Sequence, residues 1–426
     1  MYWDESVRSS LRPLKHCCHV NPAVLSETTD PDWEFDYIDI GSVSLSEGVT
    51  HKERMRFAGA PSRARKPVGE GDILVSTVRT YLKGIAAIEP AEIPQVASTG
   101  FAVLRANKGT DARFLYRVVQ SNPFVEQVVS QSTGVSYPAI NPSTLSNIEV
   151  PLPDLATQRQ IADFLDRETA RIDLLIEKKQ RLVALLGEKY KTEKKRLVFD
   201  LDDKSAGRSG STVSWFPDLP KHWRFMRCAH IFNNLDHRRI PLSSEQRGDL
   251  AKVYPYYGAS GIIDAVDNYL FDEDAILVGE DGANLVMQST PIAFKASGKY
   301  WVNNHAHILT PRFGNFDYWI HALNQVPYEV FVTGSAQPKL TSAVLGNIRL
   351  PVPPNDEQAE LAQRIEAMGQ RVNTAIEPVL ASIDRLKEYR SALITAAVTG
   401  QIDVQTYTKS GTPDRHLDAI QEEMGA

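Results

Sequence analysis

Short apolar stretches and longer amphipathic stretches alternate along the chain. Runs of β-branched and aliphatic residues predict strands around 72–76 and 101–104, and again around 275–278 and 307–310. Amphipathic periodicity predicts one helix around 112–120 and another around 316–324. We therefore expect two globular regions of similar, mixed build.

Each globular region is followed by a much longer amphipathic stripe. In the second stripe the apolar or small positions alternate by steps of four and three residues, which is the spacing of a coiled-coil seam. Its members are Leu361, Ile365, Met368, Val372, Ala375, Val379, Ser382, Leu386, Tyr389, Leu393 and Ala396. The first stripe is looser and consists of Leu165, Ile172, Ile176, Val183, Leu186, Tyr190 and Leu197. Each stripe predicts a long helix that one small domain cannot bury. We therefore expect the two long helices to pack antiparallel on each other. Pro378 interrupts the second stripe and is expected to kink it.

An internal repeat relates the two halves of the chain. The segment that begins at Thr133 recurs at Thr333, an offset of 333 − 133 = 200 residues, and it continues without a gap through Leu165 and Ile365. Ten positions are identical between the copies, including the Thr-Gly pair at the start of each. One period of this length is too long for a solenoid. It indicates a duplicated domain together with its connector.

These patterns predict an α+β fold. Two mixed α/β regions are joined by two long antiparallel helices that form a coiled-coil spacer, and the repeat implies a pseudo-two-fold relation. We expect the first globular region at 1–153 and its spacer helix at 154–199, followed by a polar Gly/Ser linker at 200–214. The second globular region follows at 215–353, its helix at 354–404 and a polar tail at 405–426.

Composition narrows the class of protein. The chain has 426 residues, 42% of them hydrophobic, and three cysteines, too few and too badly spaced for a disulfide framework or a zinc ribbon. No apolar run is long enough to span a bilayer, and the first residues lack the apolar core of a signal peptide, so we expect a cytoplasmic protein. The net charge of −6 argues against a protein that coats nucleic acid indiscriminately. It leaves room for local basic surfaces.

Candidate DNA contacts are concentrated in three kinds of sequence. Phosphate donors cluster early in the chain, with Tyr81 between the last two of them: Lys52, Arg54, Arg56, Arg63, Arg65, Lys66, Arg79 and Lys83. Amides and other groups able to read base edges occur in the second region: Tyr257, Asn284, Asn303, Asn304, His305, Gln337 and Lys339. The duplicated Thr-Gly loops add Thr133, Tyr137 and Ser335. The alternative is that the charges form solvated faces, and that the Asn-Asn and Thr-Gly pairs close turns.

Catalytic and metal chemistry is poorly represented in the sequence. His305 and His307 share one face of a predicted strand but have no third ligand at a suitable spacing, so a structural or DNA-facing role is expected. Glu280 and Asp281 are flanked by glycine, which favours a turn over a nuclease site. The chain has no phosphate-binding loop, no dinucleotide-binding glycine motif and no amino-methyltransferase tetrad. We expect no catalytic residue, no cofactor and no metal.

Several segments resemble a known family, the specificity subunits of type I restriction–modification systems. The resemblance runs from about residue 12 to 404, and its strongest parts are Ile148–Asp173, Ile348–Ile365 and Lys387–Val404. It implies that the globular regions are target-recognition domains, each reading one half of a split, asymmetric site in double-stranded DNA. It also implies that the helix pair sets the gap and docks two methylase subunits, which use S-adenosylmethionine to methylate adenine. Restriction subunits would add an ATP-dependent motor and nuclease, and no membrane would be involved. Pro378 departs from an uninterrupted coiled coil.

Two other functions remain open at this point. One is an enzyme acting on DNA, with recognition domains fused to it, and the missing cofactor motifs count against it. The other is a coiled-coil scaffold that binds proteins, which the basic stretches and amide donors disfavour.

Overall fold

The chain folds into two compact units. The first is assembled from two separate segments of the chain, and the second from one internal segment. A computed structural model describes residues 10–134, 137–199, 208–209, 219–248, 250–332 and 338–407. Unit 1 comprises residues 1–180 together with 380–426, and unit 2 comprises residues 181–379. The boundaries fall inside the two long helices, so each of these helices begins in one unit and ends in the other.

Unit 1 is built from short strands and helices. Its strands are β1 (Leu11–Pro13), β2 (Cys18–Val20), β3 (Glu34–Ile38), β4 (Val43–Ser44), β5 (Gly48–Val49), β6 (Glu53–Arg56), β7 (Ala64–Val68), β8 (Ile73–Ser76), β9 (Ile85–Ala87), β10 (Gln95–Ser98), β11 (Phe101–Ala106) and β12 (Glu149–Pro151). Its helices are α1 (Ala112–Gln120), α2 (Asn122–Ser130), α3 (Pro142–Ser146) and the first part of α4 (Leu155–Val198).

The strands of unit 1 form two four-stranded sheets and two smaller ribbons. One sheet has the order β6-β3-β10-β7, with β3 and β10 parallel, and the other is the antiparallel sheet β2-β11-β8-β9. The ribbon β1-β12 joins the beginning of the unit to the strand that precedes α4.

Unit 2 contains an equivalent set of elements. Its strands are β13 (Arg208–Ser209), β14 (Leu219–Pro220), β15 (Arg224–Arg227), β16 (Phe232–Asn234), β17 (Tyr254–Gly258), β18 (Gly261–Val266), β19 (Phe271–Asp272), β20 (Ala275–Gly279), β21 (Ala293–Ala296), β22 (Lys299–Val302), β23 (Ala306–Pro311) and β24 (Arg349–Val352). Its helices are α5 (Cys228–Ile231), α6 (Ser244–Gly248), α7 (Asn284–Met287), α8 (Phe316–Leu323), α9 (Ser342–Asn347) and the first part of α10 (Asn355–Val398).

The sheets of the two units share one topology. The order β18-β17-β22-β19, with β17 and β22 parallel, matches β6-β3-β10-β7, and the antiparallel sheet β16-β23-β20-β21 matches β2-β11-β8-β9. The predicted helices at 112–120 and 316–324 are confirmed as α1 and α8, and the predicted apolar strands as β8, β11, β20 and β23. The duplication therefore extends through both globular regions, far beyond the segment in which sequence identity reveals it.

The two predicted long helices are both present. α4 and α10 each have 44 residues, and α10 continues through Pro378 as one helix. Asp154 caps α4, since its carboxylate accepts hydrogen bonds from the backbone N–H and the hydroxyl of Thr157 at 3.0 and 2.7 Å. These hydrogen bonds lower the pKa of Asp154, because they stabilise its charged form.

Each core combines the start of one long helix with the end of the other. In unit 1, Leu165 and Ile172 of α4 and the last turns of α10 (Leu393, Ile394, Ala397 and Val398) belong to one buried cluster with α1 and α2. In unit 2, Leu361 and Ile365 of α10 join the last residues of α4 and the residue after it (Leu197, Val198 and Phe199) in a cluster with α8. Segments more than 160 residues apart in sequence thus share each core.

The predicted seam of α10 is partly wrong. Ala375 is exposed, whereas its neighbour Ile376 is half-buried; likewise Ser382 is half-buried and Ile383 is buried with 4% exposure. The more buried positions therefore run through Val372, Ile376, Val379 and Ile383 and onwards. The more buried positions do alternate by steps of four and three residues. At these two places the predicted seam is shifted by one residue, so it contains Ala375 and Ser382 in place of Ile376 and Ile383.

One position that is identical in both copies of the repeat is a buried glutamine with the same hydrogen bonds in each unit. Gln158 is 1% exposed; its Oε1 accepts from the backbone N–H of Asp111 at 2.8 Å, and its Nε2 donates to the carbonyl of Pro153 at 2.8 Å. Gln358 is fully buried and makes the same bonds to Asn315 and Pro353, both at 2.9 Å. Each glutamine ties the start of its long helix to the N-terminus of α1 or α8.

The start of the predicted tail is packed. The Tyr407 ring lies 5.1 Å from that of Phe164, edge to face, and its hydroxyl is 2.5 Å from the hydroxyl of Tyr389. Tyr407 therefore packs against unit 1. Residues 408–426, and all of the linker 200–214 except β13, lie outside the described part of the chain.

Replacing either buried glutamine is expected to destabilise the protein. Gln158→Ala and Gln358→Ala should each lower the free energy of unfolding by about 1–3 kcal/mol, because a backbone N–H at a helix start loses its buried acceptor. Urea unfolding of the full chain, followed by circular dichroism and tryptophan fluorescence, measures this. Gln363→Ala, at an exposed position of α10, is the matched control and should stay within about 0.5 kcal/mol. Equal midpoints for all three variants would contradict the role of the glutamines.

Candidate nucleic-acid interface

Two loops of unit 1 are bonded side by side. After β8 the chain enters a single 3₁₀ turn, Thr80–Leu82, and the second loop is described at residues 132–134 and 137–140. The backbone N–H of Arg79 donates to the carbonyl of Pro138 at 2.7 Å, and that of Ile140 to the carbonyl of Thr77 at 2.9 Å. These two bonds hold the loops next to each other.

The 3₁₀ turn is held in an unusual backbone conformation. Arg79 and Lys83, which flank it, have φ values of 48° and 54° in the left-handed region. Residues other than glycine adopt this region at a cost of about 1–3 kcal/mol, and such strain tends to occur at functional sites. Gly134, with φ of 110°, supports the second loop, since a Cβ there would lie 3.0 Å from the carbonyl oxygen of Tyr137. Glycine is therefore favoured at this position of the Thr-Gly pair.

The paired loops expose aromatic and cationic side chains together. Tyr81 is 51% and Tyr137 65% exposed, and the Arg79 guanidinium lies over the Tyr137 ring at 4.6 Å from its centroid. Lys83 and Thr133 are exposed beside them. Five of the sequence-predicted contacts are therefore brought to one surface.

The other predicted phosphate donors of unit 1 are already engaged. Arg54 and Arg56 on β6 bond to carboxylates of the adjacent strand β3, Asp36 at 2.6 Å and Glu34 at 3.1 Å. Arg63 lies 4.0 Å from Asp39, and Arg65 covers the ring of Phe57. Lys52 is half-buried. These cations contribute less free positive charge than the sequence suggests.

Lys66 does not belong to the surface. It is 8% exposed and its ammonium group donates to the backbone carbonyl of Phe101. Burial lowers the pKa of Lys66, because removal from water disfavours the charged form. The interpretation of Lys66 as a phosphate donor is corrected: alternation along β7 points its side chain inward.

Unit 2 repeats the loop pair with different side chains. The backbone N–H of Gly282 donates to the carbonyl of Pro338 at 3.1 Å, and that of Leu340 to the carbonyl of Glu280 at 2.7 Å. The short helix α7 takes the place of the 3₁₀ turn and ends at Gln288, which has a left-handed φ of 45°. Among the described residues, three of the four non-glycine residues with positive φ are therefore in these two equivalent turns.

A network of charges fixes the loop of unit 2. Glu280 bonds to Arg239 at 2.6 Å and to Lys339 at 3.3 Å, while His307 bonds to Asp236 at 2.6 Å. Burial raises the pKa of Asp236, but the hydrogen bond and charge of His307 outweigh it and leave the pKa lowered.

His305 and His307 differ in burial and in their hydrogen-bond partners. His307 is 1% exposed and also contacts the carbonyl of Leu340 at 2.8 Å, whereas His305 is partly exposed and bonds to Asp281 at 2.7 Å. In the part of the chain that the structure describes, no three His, Cys, Asp or Glu side chains are grouped to hold a metal ion.

The predicted base-reading groups of unit 2 have different surroundings. Asn303 is 5% exposed and its Oδ1 accepts from the N–H of His305, which removes it from the surface. The side-chain amide of Asn284 is hydrogen-bonded to Ser289 and Thr290. Tyr257 is half-buried, and burial raises its pKa, whereas Asn304 is exposed. Ser335 and Gln337 lie outside the described residues.

Exposed apolar residues at both turns were missed by the sequence analysis. Leu82 is 59% exposed beside Tyr81, and the equivalent turn exposes Val286 and Met287 by 48% and 73%. Neither pair belongs to a periodic pattern, so only the loop geometry reveals them. Both units therefore expose apolar side chains at these turns.

Comparison with known proteins places this arrangement in a family. A family model described as the type I restriction modification DNA specificity domain matches residues 60–184 and 220–382. The MjaIX type I specificity subunit of Methanocaldococcus jannaschii is 22% identical over 376 residues, covering 81% of this chain and 83% of that protein. S.HindORF215P of Haemophilus influenzae is 32% identical over 160 residues, but only 37% of this chain and 38% of that protein are aligned.

A solved structure agrees in fold. A chain from a structure of a type I restriction–modification system superimposes with a TM-score of 0.63 and 22% identity, covering 92% of this chain and 98% of that one. Fold and loops define a protein with two equivalent domains that present paired loops. The matches to both domains show that the chain belongs to the type I restriction–modification specificity subunit family. Within the residues described, no helix is long and apolar enough to span a membrane.

The fall in the free energy of unfolding at acidic pH should depend on Asp236. Because its pKa is lowered on folding, its contribution is complete at neutral pH and is lost as the pH falls below about 4. Asp236→Asn should lower the free energy of unfolding by about 1–3 kcal/mol at pH 7 and flatten its fall below pH 4. Urea titrations between pH 3 and 7 test this. The exposed Asp267→Asn serves as control, and identical pH profiles of Asp236→Asn and the parent chain would refute the assignment.

Proposed function

We propose that this chain is the non-catalytic DNA-recognition subunit of a type I restriction–modification complex. Each unit, as a target-recognition domain, reads one half of a bipartite site in double-stranded DNA. The observation that carries the proposal is the family match to both units, each of which presents the same strained loop pair. Duplicated backbones with different side chains suit a reader of two different half-sites, so the site is asymmetric.

Unit 1 has the chemistry of a DNA-facing surface. The cations Arg79 and Lys83 provide phosphate or base contacts, and Tyr81 and Tyr137 provide stacking surfaces. In unit 2 the candidate contacts are Asn304, His305 and Lys339, of which the last two are tied to acidic neighbours. The side chains of the two loops thus differ in charge as well as in shape.

The long helices are proposed to act as an antiparallel spacer. In support, each core holds the start of one helix and the end of the other. The spacer fixes the gap between the half-sites. Together with the apolar turns it offers docking surfaces for two methylase subunits, and restriction subunits with motor and nuclease activity complete the complex. Such a complex would be cytoplasmic.

The acidic pair that suggested a nuclease is better explained by structure. Glu280 and Asp281 are bonded to Arg239, Lys339 and His305, so their charge holds the loop of unit 2. We therefore assign methylation and cleavage to the partner subunits. The chain selects the sequence on which they act.

A domain exchange tests the two-domain readout. The chain is co-expressed with a cognate methylase subunit, and adenine methylation is mapped on genomic DNA by single-molecule sequencing. We expect one asymmetric split motif that disappears when this chain is omitted. Exchange of residues 215–353 for the second domain of a relative should change one half of the motif only. A change in both halves, or methylation without this chain, would contradict the proposal.

A helix deletion tests the spacer. Removal of 179–185 from α4 and 375–381 from α10 takes seven residues from each helix, about 10 Å of helix. With about 3.4 Å per base pair, the gap in the methylated motif should shorten by up to about three base pairs. Deletion from one helix alone is the control and should abolish methylation, because the two helices no longer match. A motif with an unchanged gap after the double deletion would refute the spacer.

A further inference from the structure

We propose that Arg79 reads a guanine in the half-site recognised by unit 1. This inference rests on the proposed DNA-recognition function and assigns a base to one residue of the loop pair. The geometry of Arg79 is unlike that of the other predicted phosphate donors of the unit, and it matches what direct readout requires.

The Arg79 backbone is fixed on both sides. Its N–H donates to Pro138 at 2.7 Å, its carbonyl accepts from Leu82 at 2.9 Å, and its φ of 48° is strained. The backbone fixes the point from which the side chain starts, and the stacking of its guanidinium on the Tyr137 ring gives it a direction. Fixed direction is needed for a base contact, whereas a phosphate contact tolerates a mobile cation.

The guanidinium group is oriented and available. It lies over the Tyr137 ring at 4.6 Å, and among the residues that the structure describes no carboxylate is within ion-pair distance of it. By contrast, Arg54 and Arg56 are paired with Asp36 and Glu34. Stacking against an aromatic face leaves the planar edge of an arginine free to donate.

Guanine is the base that this edge fits. A guanidinium donates two parallel hydrogen bonds to O6 and N7 of guanine in the major groove, and this is the commonest specific arginine contact. The other three bases do not present two acceptors side by side there. Lys83, four residues on, remains available for the nearby phosphate.

The assignment is confined to one half of the site. The residue of unit 2 with the equivalent backbone bond is Gly282, which donates to Pro338 and has no side chain. Unit 2 therefore cannot make the same contact. This predicts that the guanine lies in the half-site of unit 1, the half that remains when residues 215–353 are exchanged.

Methylome mapping of Arg79 variants tests the proposal. Arg79→Ala should relax one guanine position of the unit 1 half-site, with a loss of roughly 5- to 150-fold in discrimination at that position. The other half-site should stay unchanged. Arg79→Lys, which keeps the charge but not the planar pair of donors, should lose the same selectivity. Tyr137→Ala should weaken it at the same position, and Tyr137→Phe should retain it, because the stacking ring remains.

Arg56→Ala is the matched control, since it removes an exposed arginine that is paired with Glu34, and its motif should be that of the parent. An unchanged motif with uniformly weaker methylation in Arg79→Ala would show a phosphate contact and overturn the proposal. Full selectivity in Arg79→Lys, or relaxation at another base or in the other half, would also overturn it. Absence of any motif with the parent chain would instead be a failure of the proposed function.

A chemical substitution in the DNA provides an independent measurement. Duplexes with the mapped site carry 7-deazaguanine, which lacks the N7 acceptor, at the assigned position. The parent chain in complex with its methylase should bind this duplex more weakly than the unmodified one. Arg79→Ala should bind both equally, because the two changes remove the same interaction. Equal sensitivity of both chains to the modification would overturn the assignment even if a variant folds poorly.

Discussion

The cores of both units depend on helix ends that arrive from distant parts of the chain. In unit 1 the last turns of α10 bury Leu393 and Ile394, and in unit 2 the end of α4 and the residue after it bury Val198 and Phe199. A fully buried aliphatic or aromatic side chain contributes about 1.5–3 kcal/mol. Neither core is complete until both long helices have formed. The helices are thus structural parts of the recognition domains as well as connectors, which limits how freely their length can change.

A second constraint acts on the loops that those cores support. Arg79, Lys83 and Gln288 are held in a conformation that residues other than glycine normally avoid. The bonds from the loops around Pro138 and Pro338 stabilise it in both units. Two turns that differ in sequence and in helix type are nevertheless held by equivalent backbone hydrogen bonds. What the duplication preserves is the position of the turn, and the side chains placed on it are free to differ.

The sequence predicted the elements better than it predicted the surface. Regular periodicity identified α1, α8 and both long helices, because a buried face repeats in register with the helix. It failed at Ala375 and Ile376, where steps of four and three fit two phases and only packing chooses between them. It placed Lys66 on the surface because charge alone does not show which face of β7 is buried. Arg54 and Arg56 were found correctly as exposed arginines, but their partners on β3 are 18 and 22 residues away. The repeat predicted one loop of each pair, because the Thr-Gly residues and Pro138 and Pro338 are shared. The equivalence of the turns after β8 and β20 could not be predicted, since it is carried by backbone bonds and not by shared residues.

The electrostatic difference between the units reconciles an acidic chain with binding to a polyanion. In unit 2 the loop cations Arg239 and Lys339 both pair with Glu280, and the partly exposed His305 is hydrogen-bonded to Asp281. In unit 1, the loop cations Arg79 and Lys83 have no such acidic partner among the described residues. Phosphate attraction depends on the charges that face the DNA and not on the sum of −6. Among the described residues, unit 1 therefore offers the loop cations that are not paired with carboxylates. Beside its paired cations, the loop of unit 2 exposes uncharged groups such as Asn304.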